Sequence, residues 1–446
     1  MGCWRKWRYT VACLLLACIP LTSRGQADSL GRLSIELKYN PGKVLALDKY
    51  VKKWLKEDES HSVAVELHYQ PVTPEAAQQL SLTDIERQDA FSPLLFAKDY
   101  NYPTFTFGLR YNLNHGTVMH RDADPSWGKL IPVDYNSILG NAITIYGTFS
   151  RPVWRSRHWE LAYYLGTGIG YFNKVYNKTD QIDNEFLGAH LNIYFTAGLA
   201  ATWKVNSTWA LQGGIDFSHH SNGALYRPNK GVNYLGPFIG AMYSIEDEEV
   251  RKVKKVRDAR DGSKLPEKNG FRPYWFAEAS LGVGGKTLLE DWQKTQFYTS
   301  PDAPDYRTDK FHFYPSYSFQ TDLLYRYARR WASGVGLDLF YGSYSNHVKE
   351  LDEADGFTDK HSPWSVGIAA KHEVFYGNLS VRVGLGVYLY REMGNNAKEI
   401  EKPYYERVGL HYSFPSLGGM SLGFNINAHL TKADFTELQV AVPFRL

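Results

Sequence analysis

Cysteine is nearly missing from this chain: Cys3, Cys13 and Cys18 are the three present, all within the first 18 residues, so the rest can hold neither a disulfide nor a thiolate metal site. Long hydrophobic runs are missing too. Beyond the N-terminus nothing approaches the roughly 18 consecutive apolar residues of a membrane-spanning helix, which excludes a helical membrane protein. Charge of neither sign dominates, since 50 Lys and Arg stand against 47 Asp and Glu for a formal net charge of +3. No basic face argues for a nucleic-acid partner. What is abundant is aromatic and small: 32 Tyr, 23 Phe, 12 Trp and 38 Gly. A mean hydropathy of −0.40 fits a membrane β-barrel, whose strands alternate lipid-facing apolar with lumen-facing polar residues and so average as a soluble protein would.

The N-terminus reads as an export signal. Arg5, Lys6 and Arg8 form a basic segment, Val11 to Leu21 an apolar one, and Ser23-Arg24-Gly25 offers small residues for cleavage before Gln26. A second reading is a lipobox, Leu15-Leu16-Ala17-Cys18, leaving a lipidated Cys18. The apolar run continues past that cysteine through Ile19-Pro20-Leu21, which favours cleavage after Gly25. Either way the protein is exported. Residues 1–25 are thus a signal peptide, 26–245 a first β unit, 246–269 a charged linker and 270–446 a second β unit.

Period-two alternation runs through both units. Leu191, Ile193, Phe195, Ala197, Leu199, Ala201 and Trp203 alternate with Asn192, Tyr194, Thr196, Gly198, Ala200 and Thr202, a run of 13 residues. Strands of soluble sandwiches average about 5 or 6 residues, so this length favours a tilted membrane strand. In the first unit strands are expected at 32–39, 62–70, 102–113, 141–150, 158–172, 190–203, 208–221 and 232–244. Short links around Pro152 and Asn206 alternate with long ones at 114–140, 173–189 and 222–231, the pattern of periplasmic turns and extracellular loops. The lysine-rich stretch 44–59 could be a short surface helix, and 74–97 carries no clear pattern; both are left unassigned.

The second unit supplies eight more strands, at 274–283, 316–327, 332–341, 364–375, 379–391, 404–413, 420–430 and 435–444. Between the units, Glu246-Asp247-Glu248-Glu249 followed by Arg251, Lys252, Lys254, Lys255 and Arg257 reads as a solvated linker. The fold class is therefore all-β: an antiparallel transmembrane barrel of about 16 strands in two eight-stranded halves, as tandem barrels or as one larger barrel.

The chemistry concentrates at His219-His220-Ser221-Asn222-Gly223. In a strand ending there, Gly213, Ile215, Phe217, His219 and Ser221 share one face, and Gln212, Gly214, Asp216, Ser218 and His220 the other. The first face is apolar, an unusual surface for an imidazole and a hydroxyl. Residues i and i+2 lie about 6.5 to 7 Å apart along a strand, within reach of an imidazole-to-hydroxyl hydrogen bond once the side chains lean together. That suits a general base activating a serine. A lone His-x-Ser would be an ordinary polar loop feature. Here Asn222, Pro228, Asn229 and Gly231 follow at fixed spacing.

The segment His219 to Asn233 resembles the active-site hairpin of the lipid A 3-O-deacylase (acyloxyacyl hydrolase-like) family of outer-membrane enzymes. That family's His-x-Ser-Asn, then Pro-Asn-x-Gly, matches at His219, Ser221, Asn222, Pro228, Asn229 and Gly231. The resemblance spans roughly Arg32 to Ser244, with the strong match in the hairpin, and implies an eight-stranded barrel whose catalytic groups face lipid. One position departs. Where the deacylases carry a glutamate this chain has Asn233, 12 residues after the serine, which is similar to the Ser-His-Asn triad of the outer-membrane phospholipase A. An amide oxygen can accept the imidazole Nδ1 proton and fix its tautomer, but does not stabilise the imidazolium as a carboxylate does.

These residues suggest ester hydrolysis, with Ser221 as nucleophile, His219 as general base, Asn233 orienting His219, and Asn222 with the Gly223 amide holding the oxyanion. Arg227 and Lys230 are candidate cations for a lipid phosphate. No metal or cofactor is expected for a deacylase. The phospholipase family depends on calcium and dimerisation, and no calcium ligands can be assigned. The expected partner is the membrane lipid itself, lipid A or a phospholipid, in the outer membrane of a Gram-negative bacterium; oligomeric state is left open. A non-enzymatic barrel, pore or scaffold, is the remaining alternative. His115, His120 and His347 show no metal-ligand spacing. His429-Leu430-Thr431 looks like an echo of the catalytic stretch, but it falls on the polar side with Asn425 and Asn427 and reads as a lumen network joined by Glu437 and Gln439.

Overall fold

The structure, a computed structural model, describes residues 31–47, 49–74, 91–245, 271–400, 402–430 and 432–446. The expected signal peptide, the charged linker and Thr431 lie outside the described residues. The first unit contains β1 (Arg32–Val44), β2 (Leu55–Gln70), β3 (Thr104–Leu113), the short β4 (Thr117–Met119) and β5 (Ser137–Ile138), β6 (Ala142–Arg155), β7 (Trp159–Phe172), β8 (Leu191–Lys204), β9 (Trp209–Ser221) and β10 (Val232–Ile245). The second contains β11 (Tyr274–Thr287), β12 (Phe313–Ala328), β13 (Trp331–Gly342), β14 (His361–Tyr376), β15 (Leu379–Met393), β16 (Tyr404–Ser413), β17 (Ser421–His429) and β18 (Lys432–Arg445).

The choice between one barrel and two is settled by strand pairing. β1-β10-β9-β8-β7-β6-β3-β2 forms an antiparallel ring that β1 and β2 close, with β4 and β5 attached to an extension of β2. β11 to β18 close on themselves through β11 and β18. The result is two eight-stranded barrels. Closure removes sheet edges, so backbone groups are paired inside each barrel, as lipid demands. Among the described residues no helix is long and apolar enough to cross a membrane.

Each barrel is apolar outside and polar inside. Leu37, Ile169 and Leu199 are 60%, 63% and 64% exposed, whereas the alternating Glu36, Arg110 and Asp216 are buried. Buried charges are paired: Arg110 holds Asp216 through two bonds of 2.9 and 3.3 Å, and Tyr164 donates to Asp216 at 2.5 Å. In the second barrel Arg382 bridges Glu373 and Glu278, Lys371 bonds Asp338 at 2.7 Å, and Arg407 pairs with Glu437 at 2.9 Å. His429, Asn425, Asn427, Glu437 and Gln439 are buried inside it as expected. Beside these pairs lies a space of about 30 Å³.

Several boundaries differ from the sequence reading. Some strands run further than expected, β1 to Val44, β6 to Arg155 and β11 to Thr287, and the stretch 44–59 is helical over Val51–Trp54 before β2 begins. Pro152 is not in a turn: it lies inside β6 at a register shift, one of the few places where a strand tolerates a residue without an N–H. Within 74–97, Pro93–Asp99 forms a helix, with Pro93 in its first turn and Ser92 Oγ accepting the Leu95 amide at 3.4 Å.

The end of the first barrel that carries the long connections is capped by a hydrophobic cluster including Trp54, Met119, Trp127, Phe172, Phe186 and Val232. At that end the barrels meet through loops: Arg307 donates to Asp183 at 2.9 Å, and Asp183 also accepts from Arg121. Burial raises the Asp183 pKa, but Arg121 and Arg307 outweigh it and hold the carboxyl below its usual range. At the opposite end Arg329 pairs with Asp99 at 2.7 Å and the Tyr100 hydroxyl donates to the Phe375 carbonyl at 2.8 Å.

Candidate active site

β9 and β10 form the hairpin that builds the site, and pairing between them sets its register. Asn233 lies directly opposite His219, with Val232 opposite His220. On the other side β8 places Ile193 opposite Ser221 and Phe195 opposite His219. The outward set of β9 and β10 includes Ile215, Leu235 and Ile239, which are 55%, 41% and 61% exposed. His219, Ser221 and Asn233 belong to that outward set and are half-buried. His219 and Ser221 therefore sit on the lipid-facing side of the barrel.

His219 Nδ1 lies 2.8 Å from Asn233 Oδ1. An amide oxygen only accepts, so Nδ1 carries the proton and Nε2 is the basic nitrogen. Ser221 shares the face two residues on. Among the described residues no hydrogen bond joins its hydroxyl to His219, a contact that commonly tightens only with substrate bound. The second histidine of the doublet turns inward. His220 is buried, its Nε2 3.0 Å from Thr144 Oγ1 and its ring edge-on to Phe172, so it fills the lumen beneath the site.

The loop between the strands is held by its own motif. Asn229 Oδ1 accepts the Asn222 amide at 2.9 Å, and Asn222 Oδ1 accepts the Tyr226 amide at 3.2 Å. Pro228 O, Lys230 N and Gly231 N bond to Gly188, Glu185 and Phe186, which pins this segment to the β7–β8 loop. Gly231 has φ +73°, and a Cβ there would stand 2.5 Å from His219 Cε1, so only glycine leaves the imidazole its place. Asn222 is buried with its Nδ2 unpartnered, and the Gly223 amide has no acceptor among the described residues. These are the two donors the sequence reading named for an oxyanion.

The two candidate cations separate. Lys230 is exposed, with Nζ 4.4 Å from the Tyr50 ring centroid. Arg227 is not a solvated loop residue: it is buried, and its Nε and Nη2 donate to the Thr287 carbonyl of the second barrel at 3.1 and 3.0 Å. Burial lowers its pKa to about 10, against the opposing pull of Glu290 and Asp434. Its guanidinium is committed to joining the barrels, which spacing along one chain segment could not reveal.

One cluster escaped the sequence reading because two paired strands assemble it. Glu36, Glu66 and His68 converge inside the first barrel with potential ligand atoms within 4.8 Å of one another. They are already partnered: His68 Nε2 lies 2.8 Å from Glu36, its Nδ1 2.9 Å from Thr106 Oγ1, and Lys38 pairs with Glu66 at 3.5 Å. The group reads as part of the lumen charge network. A polar cavity of about 740 Å³ adjoins it, lined by Ser34, Gln70, Ser150, His158 and Ser244 toward the end of the barrel remote from Ser221.

Two sequence families match the chain. Residues 100–242 match the lipid A 3-O-deacylase (PagL) family, and residues 275–446 match the acyloxyacyl hydrolase C-terminal domain. No curated protein matches. Among solved structures, the outer membrane enzyme PagL is similar at 12% identity, over 46% of this chain and 97% of that one, with a TM-score of 0.26. An outer membrane channel from Pseudomonas putida F1 is similar at 9% identity, over 93% and 96% of the two chains, with a TM-score of 0.18.

Proposed function

Because the chain belongs to the lipid A 3-O-deacylase (PagL) family, and is thus an ester hydrolase of the Gram-negative outer membrane, we propose that it removes an ester-linked acyl chain from lipid A through Ser221, His219 and Asn233. The observation that carries this reading is the 2.8 Å contact between His219 Nδ1 and Asn233 Oδ1 on the same outward face as Ser221. A lipid in the outer leaflet would meet that face without leaving the membrane.

In the proposed reaction Ser221 Oγ attacks the ester carbonyl carbon while His219 Nε2 takes its proton. The carbonyl oxygen becomes an oxyanion, held by Asn222 Nδ2 and the Gly223 N–H. The C–O bond to the sugar then breaks, and the protonated His219 gives its proton to the departing alkoxide. Water, deprotonated by the same imidazole, attacks the acyl-serine carbonyl carbon; the bond from that carbon to Ser221 Oγ breaks as His219 returns the proton to the oxygen, and the fatty acid leaves. Asn233 keeps Nδ1 protonated throughout. Arg227, tied to Thr287, is left out of substrate contact, and Lys230 is the cation offered to a lipid phosphate.

Asn233 also favours a second reading, an outer-membrane phospholipase A, since an amide stands where the deacylases carry a carboxylate. Mass spectrometry of lipid A and phospholipids from cells producing the protein, beside Ser221→Ala, separates the two. Loss of one ester-linked chain from lipid A with the native protein alone supports deacylation. Lysophospholipid accumulation supports the second reading, and identical lipids from both proteins refute both.

A further inference from the structure

The turn that follows the nucleophile is held in place by the other barrel. Gly223 and Ala224 both adopt left-handed conformations, with φ +64° and +69°. For alanine that conformation costs about 1–2 kcal/mol, so neighbours must impose it. Within the first barrel the Leu225 amide closes the turn on the Asn222 carbonyl at 3.2 Å and Asn222 Oδ1 accepts the Tyr226 amide; the partners of the Gly223 and Ala224 carbonyls come from the second barrel. Thr436 Oγ1 of β18 donates to the Gly223 carbonyl at 2.7 Å. The Thr287 amide and hydroxyl of β11 donate to the Ala224 carbonyl at 2.8 and 3.1 Å. Arg227 completes the clasp by donating to the Thr287 carbonyl. Thr436 and Thr287 both lie on the outward face of their barrel, in line with exposed Leu438 and Val283 lower on the same strands, yet both are buried by this contact.

Resting on the catalytic reading above, we propose that Thr436 and Thr287 are positioning residues, and that the second barrel serves the reaction by locking the Asn222–Ala224 turn. The Gly223 N–H and C=O are linked through the Gly223 Cα, so fixing the carbonyl on Thr436 fixes ψ and, with φ, the direction of the amide offered to the oxyanion. Without the clasp the turn relaxes toward ordinary φ values and the amide swings away. Lipid binding, set by the apolar exterior, is untouched. The effect therefore falls on the chemical step and not on substrate affinity.

The test uses the full chain in detergent micelles with lipid A as substrate, measuring released fatty acid. Thr436→Val removes the donor at nearly constant shape. It is expected to lower kcat about tenfold, the upper range for one neutral hydrogen bond, with KM unchanged. Thr436→Ser keeps the hydroxyl and is expected to restore the rate. Arg227→Gln, acting from the other side of the clasp, is expected to lower kcat in the same way. Ser221→Ala is the reference. If it is inactive while Thr436→Val and Arg227→Gln keep the native kcat, the clasp has no catalytic role and the triad reading stands. If Thr436→Ser loses as much rate as Thr436→Val, the hydroxyl is not the cause and the proposal falls. If Ser221→Ala retains activity, the triad reading itself fails.

Discussion

Replacing Asn233 with aspartate probes the one departure from the deacylase pattern. The substitution is isosteric, so the oxygen 2.8 Å from His219 Nδ1 stays where it is and only its charge changes. In the proposed reaction Nε2 takes the proton from Ser221, and the ring becomes a cation facing a neutral amide in the native protein and a carboxylate in the variant. At about 4 Å between charge centres and an effective dielectric constant of about 20, the attraction is about 4 kcal/mol. Desolvating the carboxylate opposes it by up to several kcal/mol, less here because Asn233 is only half-buried. A net gain of about 1.4 kcal/mol corresponds to about a tenfold rise in kcat. The gain is modest because the amide already selects the productive tautomer. The complementary Asn233→Leu loses the acceptor and frees the ring, and is expected to lower activity about 10- to 100-fold, as removal of an orienting partner commonly does. Both are read from kcat on lipid A micelles, with heat-modified gel mobility reporting folding. A folded Asn233→Leu as active as the native protein, or an aspartate variant no faster than it, would refute the reasoning.

Gly231→Ala should place a methyl against His219 and strain a residue at φ +73°, costing about 1–2 kcal/mol and most of the activity; an unchanged melting temperature and rate would contradict it. Arg110→Met takes the ion-pair partner from Asp216 inside the first barrel, leaving it the Tyr164 and Thr196 hydroxyls, and is expected to destabilise it by about 3 kcal/mol in urea titration. Asp183 has a folded pKa below its unfolded value, so its ion pairs stabilise the joined loops above the ordinary carboxylate range and fade as pH falls through the lowered value. Limited proteolysis should accordingly open the loop end on acidification in the native protein, whereas Asp183→Asn should be open already at neutral pH.

Much of this protein is written in its alternation. Runs such as Leu191 to Trp203 assign each residue to lipid or lumen because the side-chain period of a strand is two, and a slip of one residue would turn every apolar side chain inward. The same rule sets His219 and Ser221 on the apolar, outward face of their strand and His429 on the polar, inward face of its own. What alternation does not carry is which strands meet at closure. β1 pairs with both β2 and β10, and β11 with both β12 and β18, and only those long-range hydrogen bonds make two barrels of eight instead of one of sixteen. Nor does it reveal partners that are distant in sequence. Arg227 looks like a solvated loop cation until Thr287 is brought beside it, and the Gly223 turn looks self-contained until Thr436 arrives from 213 residues away. Local periodicity fixes where a side chain points, while packing between the barrels decides what it touches.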